Sequence, residues 1–146
     1  MKKLLFTAIF ALVACTAWAQ SPVGKWKTID DETGKAKSIV EIYQKEGQLY
    51  GKVVELLNRG ADEEQNPICD DCDTDDPRYN EPVIGMEILK SMEKDGDEWK
   101  DGTILDPKKG KVYDCKIWIN EDDSDQLMVR GYVAFFYRTQ TWYRMN

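Results

Sequence analysis

Cys69 and Cys72 are the residues whose type and spacing suggest chemistry most directly, because they enclose Asp70 and Asp71 in a Cys-Asp-Asp-Cys segment. Cysteines at this spacing form a short disulfide, bind a metal or exchange disulfides. Thioredoxin-like exchange normally places the motif at a helix start within a βαβ unit, and the neighbouring residues predict no such unit. Zinc would need two further ligands, yet the chain has no histidine and offers only Cys115 and carboxylates. The sequence therefore favours a structural role.

A disulfide between Cys69 and Cys72 is our main expectation, since an exported chain enters an oxidising compartment. Cys115 would then remain as a buried thiol on an inward-facing strand position. A bridge from Cys115 to either of the other two cysteines is the alternative, and it would tie a long loop to the rest of the fold. We predict no cofactor and no metal.

The segment from Asn58 to Pro82 is a strongly acidic loop, with nine Asp and Glu residues against Arg59 and Arg78. Its Asp71-x-Asp73-x-Asp75 spacing is similar to the start of a calcium-binding loop. The pattern then departs from that template, because Asp76 and Pro82 occupy positions where a glycine and a glutamate are needed. We expect a solvated loop, and calcium binding is the alternative.

Composition excludes several classes of function. Without histidine, the Ser-His-Asp and Cys-His nucleophile systems are absent. The formal charge of −7 argues against a nucleic-acid partner, which requires a basic footprint. Carboxylates and tyrosines remain for acid–base work, but no pair is placed by a readable spacing. The sequence thus favours a protein that is not an enzyme.

The first 19 residues predict an export signal. Lys2 and Lys3 precede an apolar run over 4–14 that is too short to span a bilayer, and Ala17-Trp18-Ala19 provides a signal-peptidase site before Gln20. We therefore expect a periplasmic or secreted product. The alternative is a lipoprotein anchored through Cys15, which follows a lipobox-like Leu-Val-Ala, and we expect contact with a membrane only in that case.

The remaining chain reads as about eight short strands, because apolar and polar residues alternate between closely spaced turn signals. The predicted strands are 23–30, 38–45, 48–57, 83–92, 98–105, 111–120, 126–136 and 138–145. Only 58–65 is a candidate helix. Sequential strands joined by short turns favour closure, since closure removes unpaired edges. We predict one all-β domain over 20–146, a single antiparallel up-and-down barrel of the lipocalin type.

Aromatic and cationic side chains on these strands are the candidate contacts for a ligand held in the barrel. The candidates are Trp99, Tyr113, Trp118, Arg130, Tyr132 and Trp142. The alternative is that the aromatic residues are ordinary core, which is their more frequent role in a small barrel. Strand alternation places Tyr113, Cys115, Ile117 and Ile119 on one face, and Leu127, Val129 and Val133 opposite Gln126, Arg130 and Tyr132. The 135–137 aromatic run is expected at the rim.

Gly24, Trp26 and Arg144 form a structural set rather than a ligand site. Barrels of the lipocalin type close one end with the tryptophan of a Gly-x-Trp motif, and an arginine from the last strand covers its ring. The first strand here contains that motif, and the last strand supplies the arginine.

Motifs along the whole mature chain carry a resemblance to a known family. They are Gly24-x-Trp26, Leu49-Tyr50-Gly51-Lys52-Val53, Cys69-x-x-Cys72, Trp99, Gly102-x-Ile104-x-Asp106-Pro107-x-x-Gly110-Lys111-x-Tyr113-x-Cys115, Val129-Arg130-Gly131-Tyr132 and Gln140-Thr141-Trp142-x-Arg144. Together they resemble the secreted bacterial domain-of-unknown-function family 2147. The resemblance implies a lipocalin-like fold and export, and no established activity. Asp101 departs from the family pattern, which more often has a second glycine before Gly102.

We expect an exported, non-catalytic barrel that binds a small, partly apolar ligand. The alternative is an interaction module with a filled barrel that presents its acidic Cys-x-x-Cys loop to another envelope protein. An enzyme of unknown type is the third hypothesis. An internal void would separate the first two.

Overall fold

The computed structural model describes residues 20–146, and all of its regular structure is β. The strands are β1 (Gly24–Ile29), β2 (Ala36–Lys45), β3 (Gln48–Leu56), β4 (Glu87–Asp95), β5 (Glu98–Asp106), β6 (Lys111–Ile119), β7 (Gln126–Val133) and β8 (Phe136–Arg144). The predicted signal segment and Cys15 lie outside the described residues. Within the described range, no helix is long and apolar enough to cross a membrane.

Each strand pairs antiparallel with the next, and β8 returns to β1 to close the barrel. The predicted fold class is therefore confirmed. Closure is unequal around the ring, because β8 registers with β1 at only two positions, Trp26 with Arg144 and Lys27 with Tyr143. By contrast, β7 and β8 register along their whole length, from Gln126 with Tyr143 to Val133 with Phe136.

The up-and-down topology sorts the connections into two ends. One end, which we call the mouth, carries the connections at 30–35, 57–86, 107–110 and 134–135. The other end, the floor, carries those at 46–47, 96–97 and 120–125 together with Ser21 and Pro22. Both ends carry an acidic connection, the long one at the mouth and the one at 120–125, with four carboxylates, at the floor.

Two predicted strand boundaries and one candidate helix are corrected. β4 begins at Glu87 rather than at residue 83, because 83–86 belong to the long connection. β7 ends at Val133 rather than at residue 136, since Ala134 adopts a φ of 49° and turns the chain within an apolar run that has no glycine or proline signal. The candidate helix at 58–65 does not form, and this segment contains turns and bends.

The barrel core contains residues that alternate inward along the strands. Fully buried members include Trp26, Val40, Leu49, Leu89, Met92, Ile117 and Leu127. Gly102 permits a close approach of β4 to β5, because a Cβ there would lie 2.3 Å from the Lys90 carbonyl oxygen and from the Met92 sulfur. Asp101 just before it has a φ of 61°, the left-handed region that a glycine occupies without strain.

The long connection is anchored to the barrel by its cysteines. Cys69 and Cys72 form a disulfide, as predicted, and the Cys69 sulfur lies 3.4 Å from the carbonyl oxygen of Pro107 in the β5–β6 turn. Gly110 in the same turn has a φ of 65°, and a Cβ at this position would lie 1.7 Å from the Asp71 carbonyl oxygen. Only glycine fits both the conformation and the contact.

A second anchor of this connection is the ion pair between Arg78 and Asp76. The Arg78 Nη2 atom lies 2.7 Å from Asp76 Oδ2, and Arg78 Nη1 donates to the Glu87 carbonyl oxygen at the start of β4. Hydrogen bonds from Arg78 lower the pKa of Asp76 to about 2. The acidic connection is therefore held at two places along its length.

Candidate ligand cavity

The floor of the barrel is closed by Trp26 and Arg144. The Trp26 side chain is fully buried, and its Nε1 donates to the Pro22 carbonyl oxygen at 2.7 Å. The Arg144 guanidinium carbon lies 4.3 Å from the centre of the Trp26 ring, while Arg144 Nη2 donates to the carbonyl oxygens of Ser21 and Ser124. Gly24 has a φ of 133°, which brings the chain close to that guanidinium. These contacts exclude a ligand from this end.

Above the floor lies a cavity of about 440 Å³ that reaches the mouth. Its apolar wall includes Val53, Leu56, Ile104, Val129, Phe136 and Trp142. At the rim, Asp30, Asp31, Glu32 and Asp106 are balanced by Lys37, Lys108, Lys109 and Arg138. The acidity of the chain is therefore not concentrated on the cavity itself.

A line of polar side chains runs along the inner face of β8. The Trp142 indole Nε1 donates to Gln140 Oε1 at 3.3 Å, and Gln140 Nε2 donates to Asp31 Oδ2 at 2.6 Å. Arg138 Nη1 lies 3.6 Å from the same Asp31 oxygen. These three residues of β8 alternate with outward positions, so they share the inner face. They connect the depth of the cavity to its rim.

The strands next to β8 in the ring, β1 and β2, carry a second polar pair, formed by Thr28 and Ser38. Their hydroxyl oxygens lie 2.7 Å apart and both side chains are buried. Within residues 20–146, no buried side-chain nitrogen or oxygen lacks a hydrogen-bond partner. The two sets of polar groups therefore lie on the adjacent strands β8, β1 and β2, on one side of the cavity.

Two of the six predicted ligand contacts line this cavity. Trp142 is buried in its depth, and Tyr113 lies on the wall where β6 faces the space. Trp99 is half-buried near the floor, where it registers with Ile117, and it is not part of the lining. Binding by any of these residues remains a prediction.

The other three predicted contacts, Trp118, Arg130 and Tyr132, lie together on the outer face of the barrel. The Arg130 guanidinium carbon lies 5.0 Å from the centre of the Trp118 ring and 4.3 Å from that of Tyr137. The Tyr132 and Tyr137 rings are 6.1 Å apart. Their strand positions alternate with inward Ile117 and Val129, which is the physical reason that they do not line the cavity.

The alternation of inward and outward positions along each strand would have identified wall residues that were missed because they are not aromatic. Gln140 and Arg138 are two and four positions before Trp142, and Gly131 is two positions after Val129. Gly131 registers with Cys115 and Arg138, and a Cβ there would meet nothing closer than the Tyr113 Cβ at 3.5 Å. Gly131 therefore leaves room that a larger side chain would occupy.

Cys115 faces inward on β6 and is buried. Burial raises the pKa of its thiol to about 12, so the reactive thiolate is scarce at neutral pH. Among the described residues, no group of three or more cysteine and carboxylate side chains is arranged to hold a metal ion. Calcium binding by the acidic loop gains no support from this arrangement.

Residues 24–144 match the family model DUF2147, described as an uncharacterized protein conserved in bacteria. The chain belongs to the DUF2147 family. No curated protein matches this DUF2147 chain. The family membership predicted from the sequence motifs is thereby confirmed.

A solved structure shares the DUF2147 barrel fold. It is protein HP1028 from the human pathogen Helicobacter pylori, described as belonging to the lipocalin family. The match has a TM-score of 0.70 and 19% sequence identity, and it covers 86% of this chain and 84% of that one. At this identity the likeness shows the fold alone, a lipocalin-like barrel.

Proposed function

We propose that this DUF2147 protein is an exported, non-catalytic barrel that binds a small, partly apolar molecule. The observation that carries the proposal is the cavity of about 440 Å³ between a sealed floor and an accessible mouth. Small-molecule sites are typically concave spaces of about 300–1,000 Å³ with mostly apolar walls and a few placed polar groups. A filled barrel, which the interaction-module alternative requires, would have no such space.

The distribution of polar groups supports one orientation for the ligand. An apolar body would contact the deep wall around Val53, Val129 and Trp142, where few polar atoms are available. A polar end would lie towards Gln140 and Arg138, which can exchange their contacts with Asp31 for contacts with the ligand. Such an exchange limits the desolvation penalty on both partners.

Export is the second part of the proposal, and it is supported by the sequence of the first 19 residues. Cell fractionation combined with N-terminal sequencing tests it. A soluble envelope product that begins at Gln20 is the expected result. A product that begins at a lipid-modified Cys15 would show that the exported protein is a lipid-anchored form instead of a soluble one. An uncleaved cytoplasmic chain would contradict export.

Filling the cavity is the direct test of binding. The uncharged fluorescent probe N-phenyl-1-naphthylamine should bind the chain from Gln20 with enhanced emission. Gly131→Leu should weaken that binding at least about ten-fold, because its side chain would occupy the space beside Tyr113. Gly131→Ala is the matched control, since its added methyl meets only ordinary contact distances.

Circular dichroism and thermal melts of the two Gly131 variants separate lost binding from lost folding. Equal probe binding by wild type and a folded Gly131→Leu variant would show that the probe lies outside the cavity. No binding of the probe, together with no adduct in native mass spectrometry after expression in bacteria, would contradict the proposal.

A further inference from the structure

The most exposed apolar side chains of the described protein are concentrated at one point, the β7–β8 turn. Val133, Phe135, Phe136 and Tyr137 are 53%, 99%, 77% and 62% exposed, whereas every other exposed large apolar side chain lies at 47% or less. The turn consists of Ala134 and Phe135 alone, so these side chains form a narrow, convex tip. We call residues 133–137 the aromatic tip.

Among residues 20–146, the aromatic tip belongs to the longest segment without a carboxylate side chain. Residues 126–146 contain three arginines and no Asp or Glu, whereas residues 20–125 contain 15 Lys and Arg against 27 Asp and Glu. Arg130 and Arg138 lie on the two strands of this hairpin, and Lys111 and Asp114 of β6 border it. The tip thus combines apolar side chains with three nearby cationic side chains and one carboxylate, that of Asp114.

Tyr132 and Tyr137 complete the arrangement just behind the tip. Their rings lie 6.1 Å apart on the outer face, and the Arg130 guanidinium stacks on Tyr137. Tyrosine is enriched at membrane interfaces because its ring is apolar and its hydroxyl remains hydrated. The order along the tip is phenylalanine at the end, then tyrosine, then arginine. This order suits a segment whose end enters the acyl region while the residues behind it remain among the lipid headgroups.

We propose that the aromatic tip inserts into the surface of a bilayer that contains anionic lipid. A stable protein partner needs about 800 Å² of complementary surface on each side, which a two-residue convex turn does not offer. A bilayer deforms around such a tip, and its phosphates complement Arg130 and Arg138.

The tip also borders the cavity, since Val133 and Phe136 belong to its lining and Tyr137 meets it at the rim. A ligand that leaves the bilayer beside the tip would meet the mouth of the barrel directly. This functional meaning rests on the proposed ligand binding, whereas the membrane contact itself does not.

Sedimentation with vesicles tests the contact. The chain from Gln20, which contains all eight strands and lacks Cys15, should sediment with sucrose-loaded vesicles of phosphatidylethanolamine and phosphatidylglycerol. Phe135→Ser should lower the partition coefficient at least about five-fold, and raising the salt concentration should weaken binding of the wild type. Ile84→Ser, which removes an exposed apolar side chain from the long connection, should bind like the wild type.

A fluorescence readout locates the inserted residue. Emission of Phe135→Trp should shift to the blue when vesicles are added, and emission of Ile84→Trp should not. Failure of the wild type to sediment, equal sedimentation of Phe135→Ser, or a blue shift at position 84 alone would overturn the proposal. A protein partner in place of lipid would give the first of these results.

The Phe135→Ser variant keeps the two proposals separable, because Phe135 is not part of the cavity lining. Its binding of N-phenyl-1-naphthylamine should remain within about two-fold of the wild type. Lost vesicle binding with retained probe binding supports the membrane contact. A wild type that sediments but binds no probe would refute the ligand proposal and leave the membrane contact standing.

Discussion

Arg144 lies over the face of Trp26, with its guanidinium carbon 4.3 Å from the centre of the ring, and the two residues are also register partners on β8 and β1. The side-chain stack therefore reinforces the shortest ladder of the barrel. A buried indole beneath a guanidinium gains both cation–π attraction and shielding from water.

Replacing Arg144 should destabilise the barrel. Arg144→Ala should lower the free energy of unfolding by about 2 kcal/mol, because the stack and the bonds to Ser21 and Ser124 are lost together. Urea denaturation measures this change in the free energy of unfolding. Arg138→Ala is the control, since its side chain is 72% exposed and its ion pair should contribute at most about 1 kcal/mol. Equal losses in both variants would contradict a closing role for Arg144.

A pair of glycine substitutions should separate backbone strain from the docking of the acidic loop. Gly110 and Gly34 both have a positive φ. A Cβ at Gly110 would clash with the Asp71 backbone, whereas a Cβ at Gly34 would meet no atom within 4 Å. Gly110→Ala should therefore lose about 2 kcal/mol more stability than Gly34→Ala. Limited proteolysis within 58–82 should also accelerate only in Gly110→Ala. Similar behaviour of the two variants would mean that the loop is not held at this turn.

Thiol counting should distinguish the three cysteines of the chain from Gln20. Without reductant, the folded protein should react slowly with Ellman's reagent, because burial raises the pKa of Cys115 to about 12. Denaturation should reveal one thiol, and reduction should raise the count to three. Rapid reaction of two thiols in the folded protein would contradict the disulfide.

Acidification should remove the stabilisation that the Asp76–Arg78 ion pair gives to the folded protein. The folded pKa of Asp76, about 2, lies below the ordinary value of 3.8, so the pair stabilises the fold above pH 3.8 and this stabilisation is lost as the pH falls towards 2. The full effect should be about 2 kcal/mol.

Asp76→Asn should remove that part of the pH dependence, which urea titrations between pH 2 and pH 5 would measure. Asp75→Asn is the control, because Asp75 makes no ion pair within the described part of the chain and is exposed. A wild-type profile that matches Asp76→Asn at every pH would refute the contribution of this ion pair.

Local signals predicted most of the fold. Alternation and turn residues gave the strand count, and the Gly24-x-Trp26 motif together with Arg144 pointed to one closed end. The turn at Ala134 was missed because the residues around it, Val133 and the 135–137 aromatic run, all favour strands. Its backbone conformation is imposed by pairing of the hairpin rather than by a turn-forming residue.

The cavity was harder to predict than the fold. The candidates were chosen as aromatic or cationic side chains, and residue type does not say which face of a strand a side chain occupies. Trp118, Arg130 and Tyr132 consequently lie outside, while Gln140 and Gly131 lie inside. The contact between Gly110 and Asp71 was beyond reach because it joins two connections that are distant in the chain and share no local pattern.

The closed floor has a consequence for how the chain reaches its native state. Arg144 Nη2 donates to the carbonyl oxygen of Ser21, a contact between residues 123 positions apart. The ring of strands is therefore completed only after the final strand has been synthesised, and until then the first strand has an unpaired edge. Closure that depends on the last strand is compatible with the proposed export of the chain before it folds.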